Sequence, residues 1–414
     1  MRRALVLGLI LVVVPGTAGA QQVTIQQLEQ VLAASGAVPA VDADEMGKTD
    51  LIDQINREDA LAPRLTALEL TERLTDSSRK RLAAKYSLGP LTRSALELLG
   101  DRSALLDPPT SEFPDLPPPG AEAQKLMVRQ ARDFVFQTLT HLPDFFALLS
   151  TTQFDDGPVM AGGEMLYAGP RMHLVGSSER EITFSEGKEV FDSSRMSRAT
   201  TKREEGLASQ GEFGTEAATV FLDLAHGTLA FHHWENSALG PVSVFRYAVP
   251  QASSHYEVKY SCHGQASFHA LPAYHGTLSI DPASGVLVRF TVQAESSVGD
   301  PITRVGSAID YGSVVLGAHR YFCPVRSLAV TVEEADTCSE PHRRQLKRPV
   351  TMLNRVIFSD YHRLGSDMVI VPGTQEPGKP AGGTETGQPD APALPRIVPP
   401  SEQVLPSNLI PPSV

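Results

Sequence analysis

The chain predicts an α+β protein, a small all-helical N-terminal domain followed by an antiparallel β-sheet with helices packed on it. Three observations carry that prediction. Val286, Val288, Phe290 and Val292 alternate with Leu287, Arg289, Thr291 and Gln293, the period of a half-buried strand. Ahead of residue 106, apolar residues recur instead at three- and four-residue spacing, in short runs ended by glycine or polar residues. Within the strand-rich part, Ala217, Val220, Phe221 and Leu224 again fall at helical spacing, with Gly227 where a C′ glycine belongs.

Residues 1–20 read as a secretory signal peptide: Met1-Arg2-Arg3, an apolar run from Ala4 to Val14, and small residues at Ala18 and Ala20 that place cleavage before Gln21. The run is short of the roughly 20 residues a membrane helix needs. No cysteine follows it for lipid attachment, and no later stretch is apolar enough to span. A soluble mature protein in the periplasm or outside the cell is the expectation.

Residues 21–106 form the helical domain. Thr24 and Gln27 make a capping box before Leu28, Val31 and Leu32, in a helix that ends at Gly36. Further helices are expected around 51–55, over 62–74 (Leu65, Leu68, Leu70, Leu74), over 78–86 with Leu82 inward, and over 91–99 before Gly100. Their apolar positions read as core, with docking of a partner as the functional alternative. The segment 107–120, DPPTSEFPDLPPPG, is rich enough in proline to be an extended, semi-rigid linker.

Residues 121–371 make the second domain. A helix over 121–141 carries the stripe Leu126, Ala131, Phe134, Val135, Leu139, Leu142 and is ended by Pro143. Strands follow over 145–154, 181–184 and 189–191, the last two a hairpin around Ser185-Glu186-Gly187-Lys188. The polar residues 193–211 read as a long loop. After the helix over 212–225, strands are expected over 229–235, 242–249 and 255–261. Asp281-Pro282-Ala283-Ser284-Gly285 then turns a hairpin. Asp310-Tyr311-Gly312 reads as another turn, Pro324 as a strand edge or bulge, and 352–362 as the final strand. Residues 372–414, rich in Pro, Gly, Thr, Glu and Gln, bury too little apolar surface to offset their ordering entropy and read as a disordered tail.

The "IDPASG" hairpin, the strand "VLVRFTVQAE" and the run "YGSVVLGAHRYFCPVRSLAVTVE" after a helix and meander resemble the lipoprotein-carrier, LolA-like family. They also resemble uncharacterised secreted proteins of acidobacterial type. The resemblance spans about residues 121–371. It implies a curved half-barrel closed by a helix and, for several members, lipid carriage through the periplasm. The helical domain in front and the proline-rich tail behind depart from the simple carriers.

Charge and chemistry narrow the function. A formal net charge of −12 argues against nonspecific binding to nucleic acid or anionic membrane. Cys262, Cys323 and Cys338 allow three pairings with one thiol left over; Cys262 with Cys323 is preferred, because both lie on predicted strands of one sheet. His232 and His233 are adjacent, so on a regular strand they point to opposite faces and cannot chelate together without a bulge. His263, His269 and His275 recur every sixth residue, but Pro272 interrupts them and no HxH, HExxH or CxxC accompanies them. No metal and no cofactor is expected. Asp155-Asp156 before Gly157-Pro158 reads as a solvated turn, and no GxSxG, Walker loop or GxGxxG occurs, so no catalytic residue is assigned.

A half-open sheet must cover its apolar face, with its own helices or with a ligand. Trp234, Tyr256, Tyr260 and Phe290 are the residues expected to line such a cavity; the ordinary alternative is that they are core. The sequence therefore supports an exported non-enzymatic protein holding a lipid or other hydrophobic ligand. The alternative is a structural or interaction protein of the cell envelope with a filled core.

Overall fold

Thr24 starts the first helix as its sequence requires. Its Oγ1 accepts from Gln27 N at 3.2 Å, and Gln27 Oε1 accepts from Thr24 N at 2.9 Å, so two orphan amides are satisfied reciprocally. The structure is a computed structural model describing residues 21–35, 60–86, 88–161, 164–167, 171–191, 211–262, 265–297, 300–334 and 348–364. The signal peptide, the helix around 51–55, most of the 193–211 loop, Cys338 and the 372–414 tail lie outside the described residues.

The N-terminal module runs β1 (Gln21–Val23), α1 (Ile25–Ala34), α2 (60–66), β2 (Leu68–Leu70), α3 (Asp76–Lys85) and α4 (Pro90–Arg102). It is not all helical. The helix expected over 62–74 stops at residue 66, and Leu68 and Leu70, both buried around Glu69, pair in parallel with β1. Two-residue spacing there outweighs the helical reading because Gln21–Val23 supplies a strand partner. Proline at its first turn opens α4, which runs through Gly100 instead of stopping before it. Leu28, Leu32, Leu65, Leu82 and Leu96 fill the module's own core.

After the proline-rich segment come α5 (Ala121–Gln137) and the strands β3 (Phe145–Asp155), β4 (Val159–Ala161), β5 (Glu164–Tyr167), β6 (His173–Ser185) and β7 (Lys188–Phe191). Then come α6 (Thr215–Asp223), β8 (Thr228–Ser237), β9 (Gly240–Val249), β10 (Val258–Cys262) and β11 (Gln265–Ala270). The chain continues through β12 (Tyr274–Ile280), β13 (Leu287–Ala294), β14 (Ile302–Leu316), β15 (His319–Glu333) and β16 (Val350–Arg363). Ten of these strands form one antiparallel sheet in the order β7-β6-β3-β16-β15-β14-β13-β12-β9-β8. β16 joins the N-terminal strands to the meander, and β7 and β8 are the edges. The pairs β4-β5 and β10-β11 stand as separate two-stranded sheets.

The turn at 281–285 forms as expected. Gly285 takes φ +74°, its N–H reaches Asp281 O at 2.8 Å, and a Cβ there would strike Gln130 of α5. Asp310-Tyr311-Gly312, by contrast, is not a turn. It lies within β14, where the register with β15 slips between Asp310 and Tyr311, and Pro324 faces Tyr311 beside that bulge, where its missing N–H is tolerated.

Both faces of the central strands carry packed elements. On one face α5 and α6 pack Val128, Ala131, Val135, Ala217, Val220 and Phe221 against Phe245, Tyr247, Tyr274, Leu278, Phe290 and Ile309. On the other, Leu98 of α4 and Ala104 just beyond it meet Ala308, Leu328, Val330 and Leu353. The N-terminal module therefore shares a core with the sheet.

Candidate functional site

Phe290, on central strand β13, is fully buried under the two helices, with the Tyr247 ring stacked 6.5 Å away. Tyr256 is half-buried at the margin of the same cluster, 5.2 Å from the Tyr274 ring. Trp234 lies on edge strand β8, 5.6 Å from Phe231, and its Nε1 donates to Pro117 O at 2.8 Å. Tyr260 is on β10, and its side chain is outside the described residues. The structure thus puts Phe290 and Tyr256 on one helix-covered face and Trp234 at its rim under the proline-rich segment.

Cys323 is buried with a free thiol, so the expected Cys262–Cys323 bridge does not form. The premise of one shared sheet is what fails: Cys262 sits on the separate β10-β11 pair, Cys323 on central β15. Asp155 and Asp156 do not form a solvated turn either. Both are buried; Asp155 Oδ1 accepts from Gly157 N at 3.0 Å, and Asp156 Oδ1 from Thr351 N at 2.8 Å.

Three acids collect where α6 meets the sheet. Glu189 on β7 accepts from Gly211 N at 3.1 Å and Phe213 N at 3.2 Å. Glu216, in the first turn of α6, accepts from Ser307 Oγ at 2.8 Å. Burial pushes Glu216 up to about 8, partly opposed by the Ser307 bond and reinforced by Glu212 and Glu189. Burial likewise raises Glu189 to about 7, with Glu212 adding to it and the two backbone amides opposing. Glu216 therefore keeps its proton at neutral pH, and Glu189 is close to half protonated there. Sequence reasoning passed over them because an acid at a helix start or on an edge strand is ordinarily exposed.

The opposite face carries a cavity of about 610 Å3 between the N-terminal module and the sheet, lined by Arg73, Lys80, Asp101, Arg289, Asp310 and Arg326 among others. Its charges are largely paired across the two units. Arg326 of β15 meets Asp101 of α4, and Arg355 of β16 lies 3.2 Å from the same carboxyl and 2.8 Å from Glu97. Arg289 bridges Asp310 and donates to Ala104 O. Arg73 pairs with Glu235 of β8. Burial alone would raise the Glu235 carboxyl, but the His233 ring and the Arg73 guanidinium hold it down at about 2.

At the rim of this face, the segment expected to be an extended, semi-rigid linker is strapped across edge strand β8. Asn236 Nδ2 donates to Glu112 O at 3.3 Å, Phe113 stacks on His233 with centroids 4.1 Å apart, and Trp234 reaches Pro117. Such a strap covers an edge that would otherwise invite pairing. Asp107 at its start meets Arg246 Nη2 at 2.6 Å and lies 3.5 Å from His232 Nε2. Asp107, His232 and His233 are, among the described residues, three metal-ligating side chains whose donor atoms all lie within 4.8 Å of one another. What brings the two histidines together is a bulge in β8: the register with β9 slips between Phe231 and His233.

No protein-family model matches the chain, and no curated protein matches it. Among solved structures it is similar to the crystal structure of a DUF1329 family protein from Desulfovibrio piger, at 8% identity, covering 57% of this chain and 92% of that one with a TM-score of 0.26. A likeness that loose transfers neither function nor site residues to this chain.

Proposed function

We propose that the protein is an exported, non-enzymatic interaction protein of the cell envelope whose β-domain is filled by its own helices. The observation that carries this is Phe290. The residue expected to line an apolar ligand cavity is fully buried among Leu278, Tyr247 and Ile309, beneath α5 and α6. Export is supported by the signal-peptide pattern of residues 1–20. The 610 Å3 cleft is the surface this reading gives to a polar partner, because its margin keeps exposed charge, Lys80 among it, beside the paired ions within. The competing reading is a lipid or other hydrophobic ligand held in a LolA-like half-barrel. It would place that ligand on the face that α5 and α6 already cover.

Native mass spectrometry of the protein purified without detergent, followed by organic extraction, separates the two. A clean apo mass with no uptake of a fluorescent fatty acid is expected; a stoichiometric co-purifying lipid would return the protein to the carrier class. Phe290→Ala is expected to lower the unfolding free energy by about 3–5 kcal/mol in urea titrations. Near-wild-type stability of that variant would mean that the residue lines an open space.

A further inference from the structure

We propose that Asp107, His232 and His233 form a binding site for one transition-metal dication of the zinc class, pinning the proline-rich strap to edge strand β8. Adjacent histidines on a regular strand diverge, but the bulge between Phe231 and His233 turns both rings to one locality, with centroids 4.7 Å apart. Each donor is poised in its own way. Arg246 Nη2 sits 2.9 Å from His232 Nε2; a guanidinium can only donate, so Nε2 presents its lone pair toward the site. His233 has a side chain only 6% exposed, held flat against Phe113 at 8°, and neither of its ring nitrogens has a hydrogen-bond partner among the described residues. Glu235 Oε2 lies 3.6 Å from His233 Nε2, beyond hydrogen-bond length, and its partner is Arg73. A buried imidazole whose only polar neighbour is a carboxylate at 3.6 Å is under-satisfied, and a metal bond would complete it.

Two imidazoles and a carboxylate are the donor set that zinc-class ions take, with a fourth position open to water. Donor atoms around a tetrahedral ion with ~2.1 Å bonds stand roughly 3.4 Å apart. The present spread of up to 4.8 Å closes by rotation of Asp107 and His232, both exposed. Arg246 is the obstacle and also the clue. Its guanidinium touches Asp107 at 2.6 Å and His232 at 2.9 Å, so a cation already sits between two of the three donors. Its side chain is half exposed, so an incoming ion can displace it into water.

The test is titration of ZnCl2 into the metal-stripped, untagged full chain by calorimetry, together with copper quenching of Trp234, the chain's single tryptophan. The wild type is expected to take up one equivalent and to lose Trp234 fluorescence with the same stoichiometry. His232→Ala and Asp107→Asn are each expected to weaken uptake by at least about tenfold, and Arg246→Ala to tighten it, since the competing cation is gone. Circular dichroism confirms that each variant folds. The absence of one-equivalent uptake by the wild type, or uptake that His232→Ala and Asp107→Asn leave unchanged, would overturn the assignment.

Discussion

Cys323 shows what burial does to a single group. Desolvation pushes its thiol up to about 12, so almost no thiolate exists near neutral pH, and the thiolate is the reactive form. Cys323 is therefore expected to resist iodoacetamide in the native protein and to be alkylated once the chain is denatured without reductant. Peptide mass spectrometry reads both states, and a Cys323 that stays blocked after denaturation would mean that it is bridged after all. Gly276 makes a related point about space. The Tyr247 hydroxyl crosses over it to donate to Thr291 O at 2.8 Å, and a Cβ at Gly276 would lie 1.9 Å from that carbonyl oxygen. Nothing in the local sequence announces this. Gly276 reads as an ordinary strand position until the neighbouring strands are in place.

Among the elements, α6 is an insertion whose junction with the sheet buries two acids, Glu216 and Glu189. Glu216 is raised from an ordinary 4.5 to about 8 and Glu189 to about 7. Below about pH 4.5 these groups are protonated in both folded and unfolded chains and cost the fold nothing. As pH rises through 4.5–8 the unfolded chain ionises while the folded one resists, so stability falls across that window and levels off above it. Each tenfold change in proton affinity between the two states is worth about 1.4 kcal/mol, so the loss is on the order of a few kcal/mol. Urea midpoints at pH 5 and pH 8.5 are expected to show this decline, and Glu216→Gln to flatten it. A midpoint that rises over the same interval, or a Glu216→Gln slope equal to wild type, would sink the account. The helix itself was legible from Ala217, Val220, Phe221 and Leu224. That its first turn is buried was not, because the Ser307 it meets is 91 residues away.

For the molecule as a whole, the joint between the N-terminal module and the sheet decides whether the two act as one body. Asp101 is the anchor: its side chain is fully buried on α4 and faces Arg326 and Arg355 from two adjacent strands. Removing it leaves Arg326 with only the longer contact to Asp310 and Arg355 with only the more exposed Glu97, so Asp101→Ala is expected to cost about 3 kcal/mol, the low end for a broken buried pair. Faster amide hydrogen exchange is expected in α4 together with β15 and β16. If exchange accelerates in α4 alone, the module is not braced through this carboxyl. The strap has a parallel role at the edge, since the proline-rich segment covers β8 along its outer side.

By itself the sequence determined what local chemistry controls. The Thr24 capping box, the Asp281–Gly285 hairpin, the helix inside the strand-rich part and the alternation through Phe290 each need only a few neighbouring residues, so each is visible in the linear order of residues. Only the tertiary structure decided what long-range packing controls. That Phe290 lies under helices, that Glu216 is buried, that Cys262 and Cys323 belong to different sheets and that 107–120 is a strap all depend on partners far along the chain. The bulge at His232 belongs to the same class: one extra residue against β9 reverses which side chains share a face, and residue spacing alone cannot register it.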